Sequence, residues 1–337
     1  MDKFELIKRN TQEIVSEKEL KELLKKKKNP KAYIGYAPTG TLHIGHLFPF
    51  CKLIDLLEAG IDITFLVADL HAHLDDRKSP WETLEARSAV YELMFKGAVK
   101  ALGGDISKVK TVIGSSFQLK PDYFTPVLKM SAETTLARCK RAASEVVRFG
   151  NEPRLGGFIY PLMQTQDIVA LNADITFSGI DQRGIYMLSR EVLPEFGEKK
   201  PICIFTPLLP GLSGGKMSSS IPTSKISLID SEKDIRSKVA KAFCPVGQVK
   251  DNPILMFYEY IIFPTLERQK KKLVIKRSEK FGGNLTFKTY KELKEAFEDG
   301  LHPMDIKNAM SDFLVKLLEP IRKEFSKKEN LLKRAYN

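Results

Sequence analysis

Five short apolar runs, alternating with longer helical patterns, constrain the fold of this chain more than any other feature of its sequence. The runs are rich in β-branched residues and cover residues 32–38, 62–70, 109–115, 173–179 and 201–209. Runs of this kind are typical of buried strands, and the stretches between them are long enough for crossover helices. We therefore expect an α/β protein with a doubly wound parallel sheet, whose ligands bind where the strand order reverses.

The rest of the chain forms two further regions. Residues 116–172 separate the third and fourth predicted strands and contain at least two predicted helices. Strand signals fade after about residue 230, where amphipathic helical patterns such as PMDIKNAMSDFLVKLLEPIRKEF take over. The sequence predicts an α/β domain over 1–230 with a helical insertion at 116–172, and a mainly helical domain over 231–337.

The charge balance favours a polyanionic partner. The 337 residues include 54 Lys and Arg against 42 Asp and Glu, which gives a net charge of +12. No apolar run approaches the ~18 residues of a membrane span, and the charged start MDKFELIKRN is unlike a secretory signal, so we expect a cytoplasmic protein with no membrane contact. The four cysteines are far apart and form no C-x-x-C pair, so we expect buried thiols rather than zinc ligands or disulfides.

The stretch YIGYAPTGTLHIGHL, residues 33–47, predicts an anion site. A strand ends here at a turn containing Gly40, where the backbone can approach a ligand closely. A helix starts near residue 44, which places His43 and His46 on one side of its first turn. Exposed N–H groups, the helix dipole and two imidazole donors suit a phosphate chain.

A second motif, PGLSGGKMSSS (210–220), follows the fifth predicted strand. It is a glycine- and serine-rich loop with one lysine, Lys216. The loop is not a Walker A site, because Pro210 stands where the first glycine is needed and Met217 follows the lysine. We expect it to carry Lys216 to a leaving phosphate.

A polar stripe within YPLMQTQD predicts a binding pocket. Tyr160, Gln164 and Asp167 have spacings of four and three, so they share one face of a helix among apolar neighbours. Tyr33 on the first strand and Gln182 after the fourth are expected to converge on the same crevice. A few polar groups in a mostly apolar pocket are what read a small substrate.

The motif ADLHAHL, residues 68–74, leaves two readings open. If the second strand continues through it, Asp69, His71 and His73 lie on one side, and a small metal site is conceivable. The other reading, in which Leu66 and His71 line the substrate pocket, depends on a family resemblance.

HIGH after the first strand and KMSSS after the last resemble the paired signatures of class I aminoacyl-tRNA synthetases. KMSSS has the form common in archaeal and eukaryotic tyrosyl-tRNA synthetases. The likeness covers nearly the whole chain, through AYIGYAPTG, ADLHAH, FIYPLMQTQDI, GIDQR and HPMDIKNAM. It implies that ATP, accompanied by Mg²⁺, activates tyrosine to tyrosyl-adenylate, from which tyrosine passes to the 3′ end of tRNA(Tyr).

The resemblance also implies the roles of individual residues. Catalysis falls to His43, His46 and Lys216, which stabilise the transition state at the α-phosphate. The remaining ATP contacts are Gly40, Gly45, Met217, Ser218 and Ser219. In the tyrosine site, Tyr33 and Asp167 bond the phenol hydroxyl. The amino group is held by Tyr160, Gln164 and Gln182, and the other contacts are Gly35, Leu66 and His71.

Two groups of residues are implied to contact tRNA. In the insertion, the stretch TTLARCKRAASEVVR brings together the cations Arg138, Lys140 and Arg141. The resemblance implies that these residues, with Arg183 nearby, contact the acceptor stem, and that the insertion also forms a homodimer interface. In the domain at 231–337, Phe281, His302 and Asp305 match positions that engage the anticodon. An aromatic side chain beside an acidic acceptor is suited to an unpaired base.

Three alternatives stay open at the level of sequence. A tryptophanyl-tRNA synthetase shares the architecture, and Asp167 accepts an indole N–H as readily as a phenol O–H. A nucleotidylyltransferase with a HIGH-type motif would need no tRNA. A pure RNA-binding module would have no use for Lys216 and the two histidines. KMSSS and Tyr33 favour tyrosine.

Overall fold

The computed structural model describes residues 2–214 and 225–336. The predictions for Lys216, Met217, Ser218 and Ser219 therefore lie outside the described residues.

A six-stranded sheet forms the centre of the molecule. Its order is β1-β6-β5-β2-β3-β4, and every pairing is parallel except that of β1 with β6. The strands are β1 (Glu13–Val15), β2 (Lys31–Tyr36), β3 (Asp62–Val67), β4 (Val109–Ile113), β5 (Ile175–Gly179) and β6 (Ile202–Thr206). The five predicted strands and the doubly wound topology are confirmed; within this sheet, β1, a three-residue edge strand, was not predicted.

Strand order reverses between β2 and β5. From β2 the chain continues to β3 and β4 on one side, then returns to β5 and β6 on the other. The carboxyl ends of β2 and β5 therefore diverge around a crevice. The helices up to the insertion are α1 (Lys3–Lys8), α2 (Glu17–Lys26), α3 (Leu47–Glu58), α4 (Asp69–Leu74) and α5 (Leu84–Ala101).

The segment after β3 differs from one sequence expectation. The strand ends at Val67, and Asp69 begins the helix α4. Asp69 Oδ1 accepts the backbone N–H of Ser115 at 2.8 Å, while His73 Nδ1 lies 3.0 Å from a backbone carbonyl. The reading that put Asp69, His71 and His73 on one side of a strand is therefore wrong, because the chain turns into a helix at the sheet edge. Within 2–214 and 225–336, no three His, Cys, Asp or Glu side chains are grouped to hold a metal ion.

The predicted insertion is helical. It contains α6 (Ser115–Gln118), α7 (Pro121–Glu133), α8 (Leu136–Ala143) and α9 (Leu155–Ala170), and α10 (Arg183–Val192) follows β5. α9 packs against α7, α8 and α10, so one long helix carries the polar stripe from the insertion to the sheet.

The chain after residue 230 is mainly helical, as predicted. Its elements are α11 (Glu232–Ala240), α12 (Pro253–Phe257), α13 (Phe263–Arg268), the hairpin strands β7 (Leu273–Ile275) and β8 (Leu285–Phe287), α14 (Tyr290–Glu298), α15 (Pro303–Phe325) and α16 (Glu329–Tyr336). The hairpin, in the lysine-rich stretch, was not predicted. The largest core cluster contains Phe95 of α5 together with Leu314 and Leu318 of α15, so packing is continuous across residue 230. The domain boundary there stays a prediction.

Gly184 shows how tightly α10 packs on α8. A Cβ atom on this residue would lie 2.4 Å from the backbone oxygen of Ala142, which cannot rotate away. We expect Gly184→Ala to lower the free energy of unfolding by about 1–3 kcal/mol, measured by urea denaturation. Gly150→Ala is the control, because nothing lies within 4 Å of its Cβ position. Equal stability of the two variants would contradict this packing.

Candidate active site

A cavity of about 330 Å³ opens at the carboxyl edge of the sheet, where strand order reverses. It is lined by eleven of the predicted site residues, namely Tyr33, Gly35, His43, Gly45, His46, Leu66, His71, Tyr160, Gln164, Asp167 and Gln182. Gly40 does not line it, although the adjacent Thr39 does, and no atom lies within 4 Å of a Cβ placed on Gly40. The fold thus brings the predicted substrate and nucleotide residues to one place.

The deep end of the cavity contains a buried carboxyl group. Asp167 is 1% exposed, and its Oδ1 accepts hydrogen bonds from Gln118 Nε2 at 2.7 Å and the Tyr123 hydroxyl at 2.8 Å. Its Oδ2 lies 3.8 Å from His71 Nε2. Burial raises the pKa of Asp167 to about 7, and its two side-chain hydrogen bonds oppose this shift. Oδ2 is free to accept a hydrogen bond from a ligand, as far as the described residues are concerned.

A phenol group lies beside this carboxyl. The buried Tyr33 hydroxyl donates to the backbone oxygen of Gln164 at 3.2 Å and accepts from the Tyr186 hydroxyl, also at 3.2 Å. Burial raises the pKa of Tyr33 well above its ordinary value, with smaller contributions from Tyr186 and Asp167. Tyr33 is therefore a neutral hydroxyl group in a site that holds a carboxyl.

His71 is a buried imidazole without hydrogen-bond partners among the described residues. It is 1% exposed, neither ring nitrogen has a partner, and its ring meets Tyr160 edge-on with centroids 4.6 Å apart. Burial lowers the pKa of His71 to about 4, so it is neutral near pH 7. Buried polar atoms are nearly always satisfied, which indicates that this end of the cavity accepts a polar ligand or water.

Further along the cavity, two amides face each other. Gln164 Nε2 donates to Gln182 Oε1 at 3.2 Å, which joins α9 to the turn after β5. Tyr160 lies one turn before Gln164, and both are largely buried. The helix predicted from the spacing of the stripe is present, and its three polar residues line the cavity.

The two histidines of HIGH line the same cavity and are less buried than Tyr33 and Asp167. A 3₁₀ turn, Ile44–His46, precedes α3, and Pro49 falls in the first turn of α3, where a helix tolerates it. His43 Nδ1 accepts the Gly45 N–H at 3.2 Å, and His46 Nδ1 lies 3.1 Å from the His43 backbone N–H. If each Nδ1 accepts, each ring carries its proton on Nε2. Burial lowers the pKa of both, that of His46 to about 4, so both are neutral donors near pH 7.

Backbone pairing holds Lys225 close to these histidines. The Ile44 N–H donates to the Ile226 carbonyl at 2.9 Å, and the Leu228 N–H donates to the Leu42 carbonyl at 3.0 Å. The positive charge of Lys225 contributes to the lowered pKa of both imidazoles. Sequence reasoning missed this lysine, although it follows the KMSSS motif by only a few residues.

Three other residues of the site were also missed. Gln118 and Tyr123 orient Asp167 from α6 and α7, 49 and 44 residues away in sequence, so no local pattern points to them. Tyr186 follows Gln182 by four residues, and helical spacing was a usable signal for it.

The predicted acceptor-stem cations lie on α8 and α10. Arg138 pairs with Glu191 at 2.7 Å, and Arg183 makes two hydrogen bonds to Glu13, at 2.6 and 3.0 Å. Lys140 and Arg141 are exposed.

The predicted anticodon residues lie around the start of α15. Phe281 is 58% exposed, and His302 caps α15 by accepting the Met304 N–H at 3.2 Å. Asp305 forms an ion pair with Arg277 at 3.2 Å.

The pKa of Asp167 predicts a pH dependence. Below about pH 7 this carboxyl takes up a proton and loses its strength as an acceptor, so kcat/KM for a phenolic substrate should fall about tenfold per pH unit. The free energy of unfolding depends on pH in the opposite direction. Because the pKa of Asp167 in the folded protein lies above its ordinary value of 3.8, the contribution of this group to stability is fully present below pH 3.8 and is lost as the pH rises through about 7. A kcat/KM profile over about pH 5.5–8.5 measures the first effect, and Asp167→Asn should flatten it. A wild-type profile without this fall would contradict the role of the carboxylate.

The sheet is doubly wound, and its switch point holds neutral imidazole donors at a helix start together with a buried polar pocket. This combination defines a nucleotide-dependent α/β enzyme. The family model described as tRNA synthetases class I (W and Y) matches residues 25–319. The chain belongs to this family and, within it, to the tyrosyl-tRNA synthetases of the archaeal and eukaryotic type.

Individual relatives support this assignment. The chain is 48% identical over 336 residues to the tyrosine–tRNA ligase of Haloarcula marismortui, covering 99% of this chain and 97% of the relative. It is 43% identical to the cytoplasmic tyrosine–tRNA ligase of Saccharomyces cerevisiae, over 96% and 84%. The structure of tyrosyl-tRNA synthetase from Archaeoglobus fulgidus complexed with L-tyrosine superposes with a TM-score of 0.88 at 44% identity, covering 95% of this chain and 98% of the other. Plasmodium falciparum tryptophanyl-tRNA synthetase, at 18% identity and a TM-score of 0.70, shares the fold.

Proposed function

We propose that the chain is a tyrosine–tRNA ligase, which activates tyrosine with ATP and transfers it from tyrosyl-adenylate to the 3′ end of tRNA(Tyr). The observation that carries the proposal is that the buried Tyr33 and Asp167 line the same cavity as His43 and His46. The distribution of polar groups matches a molecule with a phenol at one end and a reacting carboxylate at the other. The relatives named tyrosine–tRNA ligase support the same reaction.

In the proposed binding mode the phenol hydroxyl of tyrosine lies at the deep end. It donates to Asp167 Oδ2, whose partner oxygen is already occupied by Gln118 and Tyr123. The Tyr33 hydroxyl, which donates to the Gln164 carbonyl in the free protein, redirects its one proton to the substrate oxygen. His71 and Leu66 line this end. Gly35 also lines the cavity, beside Leu66 and Tyr33.

The amino group of tyrosine is assigned to the other end of α9. Tyr160, Gln164 and Gln182 offer oxygen acceptors there, and the Gln164–Gln182 hydrogen bond sets the orientation of both amides. This directs the substrate carboxylate towards the histidines.

In the activation step the carboxylate of tyrosine attacks the α-phosphorus of ATP, and pyrophosphate leaves. Charge builds on the phosphate oxygens, where the Nε2–H groups of His43 and His46 and the start of α3 donate hydrogen bonds. Lys216, with Met217, Ser218, Ser219, Gly40 and Gly45, completes the proposed ATP contacts. Mg²⁺ arrives with the ATP phosphates, and we assign it no protein ligand.

Amino-acid-dependent exchange of pyrophosphate into ATP, without tRNA, tests this proposal. We expect exchange with tyrosine and none with tryptophan or phenylalanine. Exchange with tryptophan would keep the mechanism but overturn the pocket assignment. No exchange with any of the three would favour a nucleotidylyltransferase.

We assign tRNA(Tyr) to the cations of α8 and α10 and to the start of α15. Arg138, Lys140, Arg141 and Arg183 would meet the acceptor stem, and Phe281, His302 and Asp305 the anticodon. The exposed pair Lys140 and Arg141 allows the clearest test, because phosphate contacts weaken binding and its salt dependence together. Replacing both with alanine should raise KM for tRNA and leave tyrosine-dependent exchange unchanged. Unchanged aminoacylation would contradict the assignment.

We also propose that the enzyme is a homodimer joined through the insertion. Four of the exposed large apolar side chains among the described residues fall within 116–172: Leu119, Leu128, Leu136 and Leu155. Leu128→Glu should shift the mass in solution from dimer to monomer, measured by sedimentation; a wild-type monomer would overturn the proposal.

No helix in the described ranges has the length and hydropathy to cross a membrane. Our placement of the enzyme in the cytoplasm rests on the yeast relative.

A further inference from the structure

Arg87, on α5, joins three separate segments of the chain. Its Nη1 donates to the Thr39 carbonyl at 3.2 Å, the Lys78 carbonyl at 3.1 Å and Ser79 Oγ at 2.8 Å, and its Nε donates to the Ala335 carbonyl at 2.8 Å. The planar fork of a guanidinium can meet several acceptors in fixed directions at once, which a lysine cannot do. One side chain therefore ties the turn after β2 to the turn after α4 and to α16.

Hydrogen bonds hold two of the three residues of the turn at 38–40. Ser79 Oγ, which is fully buried, donates to the Pro38 carbonyl at 2.8 Å, and Arg87 bonds the carbonyl of Thr39. The buried Tyr91, one turn further along α5, lies beside the backbone of Gly40. The hydrogen bonds from Ser79 and from Arg87 of α5 hold the turn.

The contacts also determine which groups of the turn face the cavity. Neither Arg87 nor Ser79 lines the cavity, so the two carbonyl oxygens that they bind are turned away from it. Thr39 does line the cavity, as do His43 and His46. Carbonyl oxygens turned towards a polyphosphate would repel it, so this orientation favours nucleotide binding.

α16 determines in turn where Arg87 lies. The Arg87 guanidinium lies over the Tyr336 ring, 5.1 Å from its centroid, and Ala335 is fully buried. Leu331 and Leu332 pack against the main core, and α16 packs along α5. A stacked aromatic face and a carbonyl acceptor together leave the guanidinium little freedom.

We propose that Arg87 is a positioning residue for ATP: it holds the 38–40 turn in the shape that accepts the nucleotide, and α16 holds Arg87. This inference rests on the proposed function, because it assigns ATP to that end of the cavity. It makes α16, remote in sequence from every other part of the site, a determinant of nucleotide affinity.

Pyrophosphate exchange with varied ATP and varied tyrosine tests the proposal on folded variants. We expect Arg87→Gln to raise KM for ATP about tenfold or more, because small misplacements of binding groups cost this much, while KM for tyrosine changes less than about twofold. Arg87→Lys should recover only part of the loss. Arg236→Gln, at a surface arginine of α11 in ion pairs with Glu232 and Asp312, is the control for removing a guanidinium.

Tyr336→Leu tests the contribution of α16. It should raise KM for ATP by itself and add little in combination with Arg87→Gln, because both changes release the same turn. Additive effects, or equal rises of KM for ATP and tyrosine, would overturn the proposal. If Arg87→Gln does not fold, Ser79→Ala and Tyr336→Leu carry the test, since each removes one contact. If the wild type catalyses exchange and these variants keep the wild-type KM for ATP, only this inference is refuted. If the wild type itself catalyses no exchange, the proposed function is refuted.

Discussion

Replacing His46 with alanine is expected to slow formation of tyrosyl-adenylate by about 100- to 1,000-fold, while the dissociation constant for tyrosine changes less than about threefold. The imidazole is half-buried at the start of α3, and its pKa of about 4 keeps it neutral at working pH. It acts by donating a hydrogen bond to charge that develops only in the transition state. Single-turnover adenylate formation and equilibrium tyrosine binding, measured on the same preparation, separate the two effects.

His46→Gln is the matched comparison for this prediction. The glutamine amide carries a neutral N–H donor at about the same distance from the backbone as Nε2 of the imidazole, so it should recover part of the lost rate. Equal losses in rate and tyrosine affinity, or a glutamine variant no better than alanine, would show that His46 does not act on the transition state. A neutral imidazole with a pKa of about 4 takes up no proton near pH 6, so the fall in activity expected there from Asp167 should be the same in the wild type and in His46→Gln.

Asp167→Asn is expected to lower kcat/KM for tyrosine by about 10- to 100-fold, because the loss of a hydrogen bond to a charged acceptor costs about 1.5–3 kcal/mol. Oδ1 is engaged by Gln118 and Tyr123, so the substrate depends on Oδ2, which an amide NH₂ group replaces with a donor. Discrimination against phenylalanine should fall in parallel. The established example is a tyrosyl-tRNA synthetase that prefers tyrosine to phenylalanine by a factor of about 10⁵, and it serves here only as a comparison.

Asp69→Asn is the control for this second prediction. Asp69 is 2% exposed and accepts backbone N–H groups from Leu70 and Ser115, but it does not line the cavity. This variant should lose stability without losing preference for tyrosine over phenylalanine. If Asp167→Asn has the same ratio of kcat/KM for tyrosine to kcat/KM for phenylalanine as the wild type, the substrate phenol does not bind at this carboxyl.

The sequence alone determined the features that depend on local periodicity. Five buried strands, the crossover helices and the polar stripe of α9 follow from repeats of two and 3.6 residues, which are visible over a few positions. The same local logic placed His43 and His46 at a helix start. It failed at 68–74, because alternation along a short stretch does not reveal where a strand ends and a helix begins.

Only the tertiary structure decided which distant groups meet. Gln118 and Tyr123 reach Asp167 across more than 40 residues, and Arg87 reaches Thr39 and Ala335 across 48 and 248. The pKa of about 7 at Asp167 is likewise a consequence of burial by several elements at once. Such contacts leave no periodic pattern, because they arise where elements pack, and packing depends on the whole chain rather than on neighbours in sequence.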